Sequence, residues 1–169
     1  MKLHLGCGND YKNGYINCDI SEKIKTDKII DLEQFLPFED NSVEEIITNH
    51  TLEHIKNFIQ LIEEMYRISK NGAIINIKVP YFAYPGSFAD PTHVRFLTLK
   101  TFEYFTYNNG LNYYSNARFK ILKQTLNFSF KKKHKIMNFL INKNQRIYER
   151  LFCYIFPSAE LNVILEVIK

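Results

Sequence analysis

The chain has 169 residues, with 22 Lys and Arg against 18 Asp and Glu and a formal net charge of +4. Its 46% hydrophobic and 24% charged content suits a globular protein with one ordinary core, so a single domain over residues 1–169 is expected. No apolar run approaches the ~20 residues of a bilayer span, no secretory leader precedes the first apolar run, and the charge is too small to argue for a nucleic-acid partner. A cytoplasmic protein without a membrane span is the expectation. Cys7, Cys18 and Cys153 are odd in number and form no closely spaced pair, which favours reduced thiols over a disulfide framework.

In chain order, "KLHL" (2–5) predicts a short strand that enters a turn at Gly6. "YINCDI" (15–20), "DKIIDL" (27–32) and "VEEIITNH" (43–50) predict three more strands, the last ending on a polar cluster. From His54 to Ser69 the residues Ile55, Phe58, Ile59, Ile62, Met65 and Tyr66 recur at helical spacing, with Gly72 at the expected C-cap. "AIINIKV" (73–79) is a nearly unbroken run of β-formers and reads as a central buried strand. Residues 81–110 form a separate substrate-loop segment, rich at first in Tyr, Phe, Pro and Gly. Within it Thr98 should cap a short helix through Phe105 that ends near Asn109 and Gly110. "RFKILKQTLNFSF" (118–130) then predicts a strand, residues 135–154 a helix and "LNVILEVI" (161–168) a closing strand. This alternation predicts an α/β domain with a mostly parallel sheet and an antiparallel edge strand. Only residues 7–14 separate the first two strands, fewer than the dozen or so of a full crossover, so the first crossover helix should be abbreviated or absent.

Gly6-Cys7-Gly8 follows the first strand directly, where glycines let a ligand lie against bare main chain beyond the carboxyl ends of the strands. Asp19 ends the second strand and is placed to accept two hydroxyl hydrogen bonds from a ribose. A dinucleotide and S-adenosylmethionine both fit that pair. The dinucleotide fingerprint wants Gly or Ala where this chain has Tyr11, and it needs a helix N-terminus for its pyrophosphate. A cofactor without phosphates tolerates the short crossover, which favours S-adenosylmethionine.

At these residues the chain resembles the class I S-adenosylmethionine-dependent methyltransferases, over nearly its whole length. "LHLGCGND" is similar to the family's first motif and Asp19 to its ribose-binding acid. "DLEQFLPFEDNSVEEIITNHTLEHI" (31–55) resembles the segment that commonly reads acid, Leu-Pro-Phe, Ser-Phe-Asp, then Leu-Glu-His, and "ISKNGAIINIKVP" (68–80) resembles the helix end and strand that follow. The resemblance implies a Rossmann-like sheet of the seven-stranded type. It also implies that Leu5, Gly6, Cys7, Gly8, Asp19 and Ile20 hold the cofactor, that Asp31 and Leu32 line the adenine pocket, and that Asn49 and His50 face the methionine part. S-adenosyl-L-homocysteine would be the product. The chain starts at the first strand, without the helices that often precede it in the family. Apolar sheet left uncovered by that and by the short crossover would favour a homo-oligomer.

"HTLEH" (50–54) matches an inverted zinc-protease signature, but His50 closes a strand, so the two His would not share a helix face, and no metal is expected. "FADPTHVRF" (88–96) follows the fifth strand and faces the same edge as the glycine turn. There His93 is the expected general base, Asp90 its orienting partner and Arg95 a clamp for an anionic group, with Tyr81, Tyr84 and His54 also on the substrate side. A plainer reading has Asp90 pinning a turn before Pro91 with Arg95 as its ion-pair partner. "KKKHK" (131–135) is read as a solvated helix entrance, or as an attractor of phosphorylated substrates. The expected reaction is methyl transfer to a small-molecule acceptor, anionic or sugar-linked: a sugar, nucleotide-sugar or phosphorylated metabolite of surface-polysaccharide biosynthesis. A non-catalytic cofactor-binding module and an RNA or DNA methyltransferase are the alternatives. "NHTL" stands where base-amino methyltransferases carry Asn-Pro-Pro-aromatic.

Overall fold

The structure, a computed structural model, describes residues 1–107, 110, 112–129 and 134–169. Phe130, the three lysines of the basic run (131–133) and Asn109, where the helix after Thr98 was expected to end, lie outside the described residues.

Seven strands form one sheet in the order β3-β2-β1-β4-β5-β7-β6. They are β1 (Lys2–Leu5), β2 (Ile16–Asp19), β3 (Lys28–Ile29), β4 (Val43–Asn49), β5 (Ser69–Pro80), β6 (Phe119–Asn127) and β7 (Glu160–Val167). The pairs from β3 to β5 are parallel, and β7 runs antiparallel to both β5 and β6. The antiparallel strand expected at the edge is β7, which sits one place in, between β5 and β6, and leaves β6 as the edge. The helices are α1 (Phe58–Ile68), α2 (Gly86–Ala89), α3 (Lys135–Lys143) and α4 (Gln145–Leu151).

The sheet is packed on one face. Leu3, Leu5, Ile46, Ile75, Ile77 and Val163 are fully or almost fully buried and join Leu61, Ile62 and Met65 of α1 in one core. The opposite face carries Lys2, Glu45, Ile74, Asn76, Lys78 and Lys123, exposed or half-exposed, with Lys2 Nζ 2.9 Å from Glu45. β5 therefore alternates inward and outward along "AIINIKV" instead of being buried on both faces as its composition suggested. The exposed face is mostly polar, so it lacks the apolar expanse that was expected to drive self-association.

No helix stands between β1 and β2; the crossover helix is missing. Its covering role falls to the loop, which is stapled over the sheet by Asn17. That side chain accepts from Lys12 N (2.9 Å) and donates to the carbonyls of Lys12 and Tyr15 (3.0 Å each). His4 and Asn17 are buried beneath it although they lie on the otherwise open face.

Other boundaries shift for local reasons. The helix expected from His54 instead opens as a single 3₁₀ turn, Leu52–His54, breaks at extended Ile55 and restarts at Phe58. The Glu33 carboxylate accepts from Lys56 N (2.6 Å) and Asn57 N (2.9 Å), placing an acid at the positive end of α1 and fixing that restart. α1 ends on Ser69, not Gly72; Gly72 (φ 78) lies at an irregular stretch of β5, where the pairing jumps from Val43↔Ser69 to Glu45↔Ile74. β3 keeps only two of its expected residues. The helix over 135–154 is two, broken at non-helical Asn144, whose side chain accepts from Ile147 N and caps α4. Thr98 starts no helix directly; a 3₁₀ segment follows at Thr101–Phe105.

The Leu-Pro-Phe stretch is anchored from α1. Leu36 N donates to Glu64 Oε2 (2.8 Å), and the Arg67 guanidinium donates to the carbonyls of Leu36 (2.9 Å) and Phe38 (3.0 Å) while stacking on the Phe35 ring. Those bonds aim the Asp31–Glu33 loop at the carboxyl edge of the sheet.

Candidate functional site

A cavity of about 370 Å³ opens at the carboxyl ends of β1, β2 and β4. Its floor is the glycine turn. Gly6 has φ 66, and a Cβ there would lie 2.3 Å from the Thr51 side chain, so both the backbone and the neighbour demand glycine. Gly8 has φ 49 with open space beside it, and its N–H donates to Asp19 Oδ2 at 2.9 Å. Asp19 Oδ1 accepts from Ser21 N at 3.0 Å. Two backbone amides thus fix the carboxylate, and each oxygen keeps a lone pair for a hydroxyl from the cavity.

Asp31 Oδ1 accepts from Glu33 N (2.9 Å) in a local turn, and the residue lies on the cavity wall. Gly6, Gly8, Asp19, Ile20, Asp31, Leu32, His50 and His54 all line the space. Three expected cofactor residues do not. Leu5 is a core residue, Cys7 is buried with its thiol pushed up chiefly by burial, and Asn49 donates to Asp10 Oδ2 at 3.3 Å. Sequence reading missed Ile30, Glu33, Thr51 and Ile55, which complete the wall. Thr51 was foreseeable only from contact: its hydroxyl lies 3.2 Å from Gly6 O and 3.1 Å from Asn49 O, tying the turn to the end of β4.

His50 sits at φ 51 with its ring between two acids, Nε2 3.1 Å from Glu160 and Nδ1 3.5 Å from Glu53. Hydrogen bonds to Glu160 and Glu53 outweigh burial and lift its pKa to about 9, so the ring is an imidazolium at neutral pH. Burial acts to raise the Glu160 carboxyl, but bonds from His50 and Asn127 hold it below its usual value. The lining of the cavity sets Asp19, Asp31 and Glu33 against the one His50 cation, an acidic surplus that suits a cationic sulfonium.

His54 Nδ1 lies 2.9 Å from Thr92 Oγ1, and that hydroxyl lies 2.6 Å from Asp90 Oδ1. The carboxylate can only accept, so the Thr92 proton goes to Asp90 and His54 Nδ1–H is the donor to Thr92. His54 Nε2 is then a bare acceptor in the neutral ring. His93 packs edge-on against His54, with ring centroids 4.7 Å apart. Its Nδ1 donates to Ser87 O at 2.8 Å, leaving Nε2 facing Asp90 (3.8 Å) and Glu53 (4.0 Å). The backbone holds this register, since Val94 N and Arg95 N both donate to Glu53 O.

His54 therefore stands at the cavity wall and His93 one ring behind it, with only 8% of its side chain exposed. Asp90 reaches His54 through Thr92, while Ser87 O orients His93. Arg95 does not join them: it donates to Lys56 O at 3.0 Å and stacks on Phe58, beside a different cavity. Tyr81 is buried with its hydroxyl 3.1 Å from Glu149, and the Tyr84 ring lies against Gly86; neither lines the cofactor cavity. Glu53, His54 and His93 each offer a ligand atom within 4.8 Å of the others. The Glu53–His93 separation of 4.0 Å exceeds the ~3.3 Å between ligands 2.0–2.1 Å from a tetrahedral ion.

A dinucleotide would find no helix N-terminus after the glycine turn for its pyrophosphate. A sulfonium cofactor with one ribose needs a bare turn, a carboxylate and a net negative wall, and the cavity has all three.

Residues 3–77 match the family model described as a methyltransferase domain. The curated proteins include no match to the sequence. Among solved structures, the chain is similar to an S-adenosylmethionine-dependent methyltransferase from Archaeoglobus fulgidus, at 17% identity and TM-score 0.61 over 98% of this chain and 85% of that one. It is similar to another from Mesorhizobium loti, at 14% identity and TM-score 0.62 over 98% and 89%. It is also similar to the [4+2]-cyclase SpnF, at 16% identity and TM-score 0.63 over 99% and 75%. At such identities the likeness is one of fold, and the cyclase marks how far chemistry diverges on it.

Proposed function

We propose that the chain is a class I S-adenosylmethionine-dependent methyltransferase and that it methylates a small-molecule acceptor delivered to the His54–His93 end of the cavity. Its cofactor is S-adenosylmethionine, which supplies an electrophilic methyl group on a sulfonium when bound. Gly6 and Gly8 present bare backbone to it, Asp19 accepts from its ribose, and Asp31 with Leu32 flanks its base. The observation that carries this assignment is the doubly anchored Asp19 carboxylate beside a glycine turn that cannot hold a Cβ.

The chain's part in the reaction is alignment and proton removal. The Thr92–Asp90 chain fixes the His54 tautomer and leaves Nε2 to accept the proton of an acceptor hydroxyl or amine. This moves the base role from His93, the sequence expectation, to the ring at the wall. His93 becomes its edge-on support. Arg95, turned toward Phe58, is left out of the acceptor end we propose. A sugar, nucleotide-sugar or phosphorylated metabolite remains the acceptor class we propose, in the setting of surface-polysaccharide synthesis and as part of one domain over 1–169.

The test is calorimetry with S-adenosylmethionine and its demethylated product, followed by turnover against phosphorylated and nucleotide-linked sugars. Asp19→Ala should lose affinity for both ligands; unchanged affinity removes Asp19 from the site. Binding without turnover on any of these acceptor pools would favour a non-catalytic module.

A further inference from the structure

α3 is built inside out. Its amides point inward, where Asn138 Oδ1 accepts from Phe128 N (2.8 Å) and Asn142 Oδ1 accepts from Leu126 N (2.9 Å) while its Nδ2 donates to Leu126 O (2.7 Å). These bonds satisfy the free edge of β6. The price falls on the other side of the helix: Ile136, Phe139 and Leu140 face solvent at 77%, 68% and 55% exposure. Ile147 and Leu151 of α4 continue the patch, and Tyr154 and Ile155 extend it at 80% and 65%. A groove of about 590 Å³ runs between the two helices, with Met137, Leu140, Ile147, Phe152 and Phe156 on its walls. An apolar surface of this extent marks an interaction site.

The rim is cationic. Lys135, Lys143, Arg146 and Arg150 are exposed around the patch. Glu149 points inward to the Tyr81 hydroxyl and Leu99 N, each 3.1 Å away, and Glu103 lies 3.9 Å from Arg146. A second copy seated here by two-fold symmetry would bring the same four cations against their equivalents. Anionic headgroups reverse that sign, and exposed Phe, Tyr, Leu and Ile beside Lys and Arg make the composition of a helix lying in a lipid interface.

We propose that the α3–α4 face docks this protein onto an anionic lipid surface without crossing it. The face reaches the carboxyl edge of the sheet: Tyr154 packs on Phe82 just beyond β5, with ring centroids 5.9 Å apart. Docking there brings the carboxyl edge of the sheet to the headgroups. Resting on the methyl-transfer reading, the acceptor is then a lipid-linked or amphiphilic molecule presented at that surface.

Flotation of the full chain with phosphatidylcholine vesicles, with and without phosphatidylglycerol, tests this without any turnover. The protein should float with the anionic vesicles alone and be released by high salt. Ile136→Ser with Phe139→Ser, and separately Lys143→Glu with Arg150→Glu, should each cut partitioning by about tenfold or more with unchanged circular-dichroism melting. No flotation with either vesicle, equal flotation with both, or a concentration-dependent dimer dissolved by the serine pair in place of vesicle binding would overturn the proposal. Because no cofactor enters the assay, failure of the methyl-transfer reading would leave its outcome intact.

Discussion

The two ends of the site are made differently. The cofactor end is local: Gly6, Gly8 and Asp19 lie within 14 residues, and their bonds run between adjacent parallel strands β1 and β2. The acceptor end is assembled from distant pieces, with His54 after β4 and Asp90, Thr92 and His93 after β5. Strand pairing fixes the first; loop-to-loop hydrogen bonds fix the second. Substitutions at the cofactor end should therefore damage binding or folding, and substitutions at the acceptor end should damage turnover while leaving binding alone.

The severest break should be Gly6→Ala, which puts a Cβ into Thr51 at a positive φ. A loss of about 3 kcal/mol or more in stability is expected, read by chemical denaturation, together with loss of cofactor binding in calorimetry. Next comes His54→Ala, with turnover down by about 10²–10⁴-fold at saturating cofactor and cofactor affinity held. His93→Ala, which removes the supporting ring, should cost less; the reverse order would return the base role to His93. Asp19→Ala removes two amide acceptors as well as the ribose contact, and cofactor affinity should fall by about 10–100-fold.

A subtler distinction comes from pH. His50 is more basic in the folded protein than an ordinary imidazole, so its ion pairs stabilise fully below about 6.5 and lose that contribution as pH rises through about 9. The melting temperature should decline across that window, and His50→Gln should flatten the decline. The smallest effect belongs to Arg95→Met. Its guanidinium serves Lys56 O and Phe58, so stability should drop by about 1 kcal/mol with turnover unchanged. A large fall in turnover would put Arg95 back at the substrate.

Legibility followed the same division. The order of strands, the glycine turn and Asp19 were readable because glycine chemistry and β-pattern act over a few residues. The start of α1 was misplaced by four residues because its cap, Glu33, comes from another loop. The break at Asn144 was missed because the apolar spacing runs on across it, although Asn is a good N-cap. Arg95 was assigned to the site from its loop, and nothing in "FADPTHVRF" says which way a side chain turns when the backbone is held by Glu53 O.

The sequence by itself determined the fold class, the family resemblance and the core of the cofactor cavity, since local backbone rules and hydrophobic period suffice for those. Only the tertiary structure decided that the sheet is open on one face, that His54 and not His93 meets the cavity, and that α3 shows its apolar side to solvent. Each of those depends on which distant group takes up a hydrogen bond, and a helix whose Asn residues are claimed by β6 must turn its Ile and Phe outward.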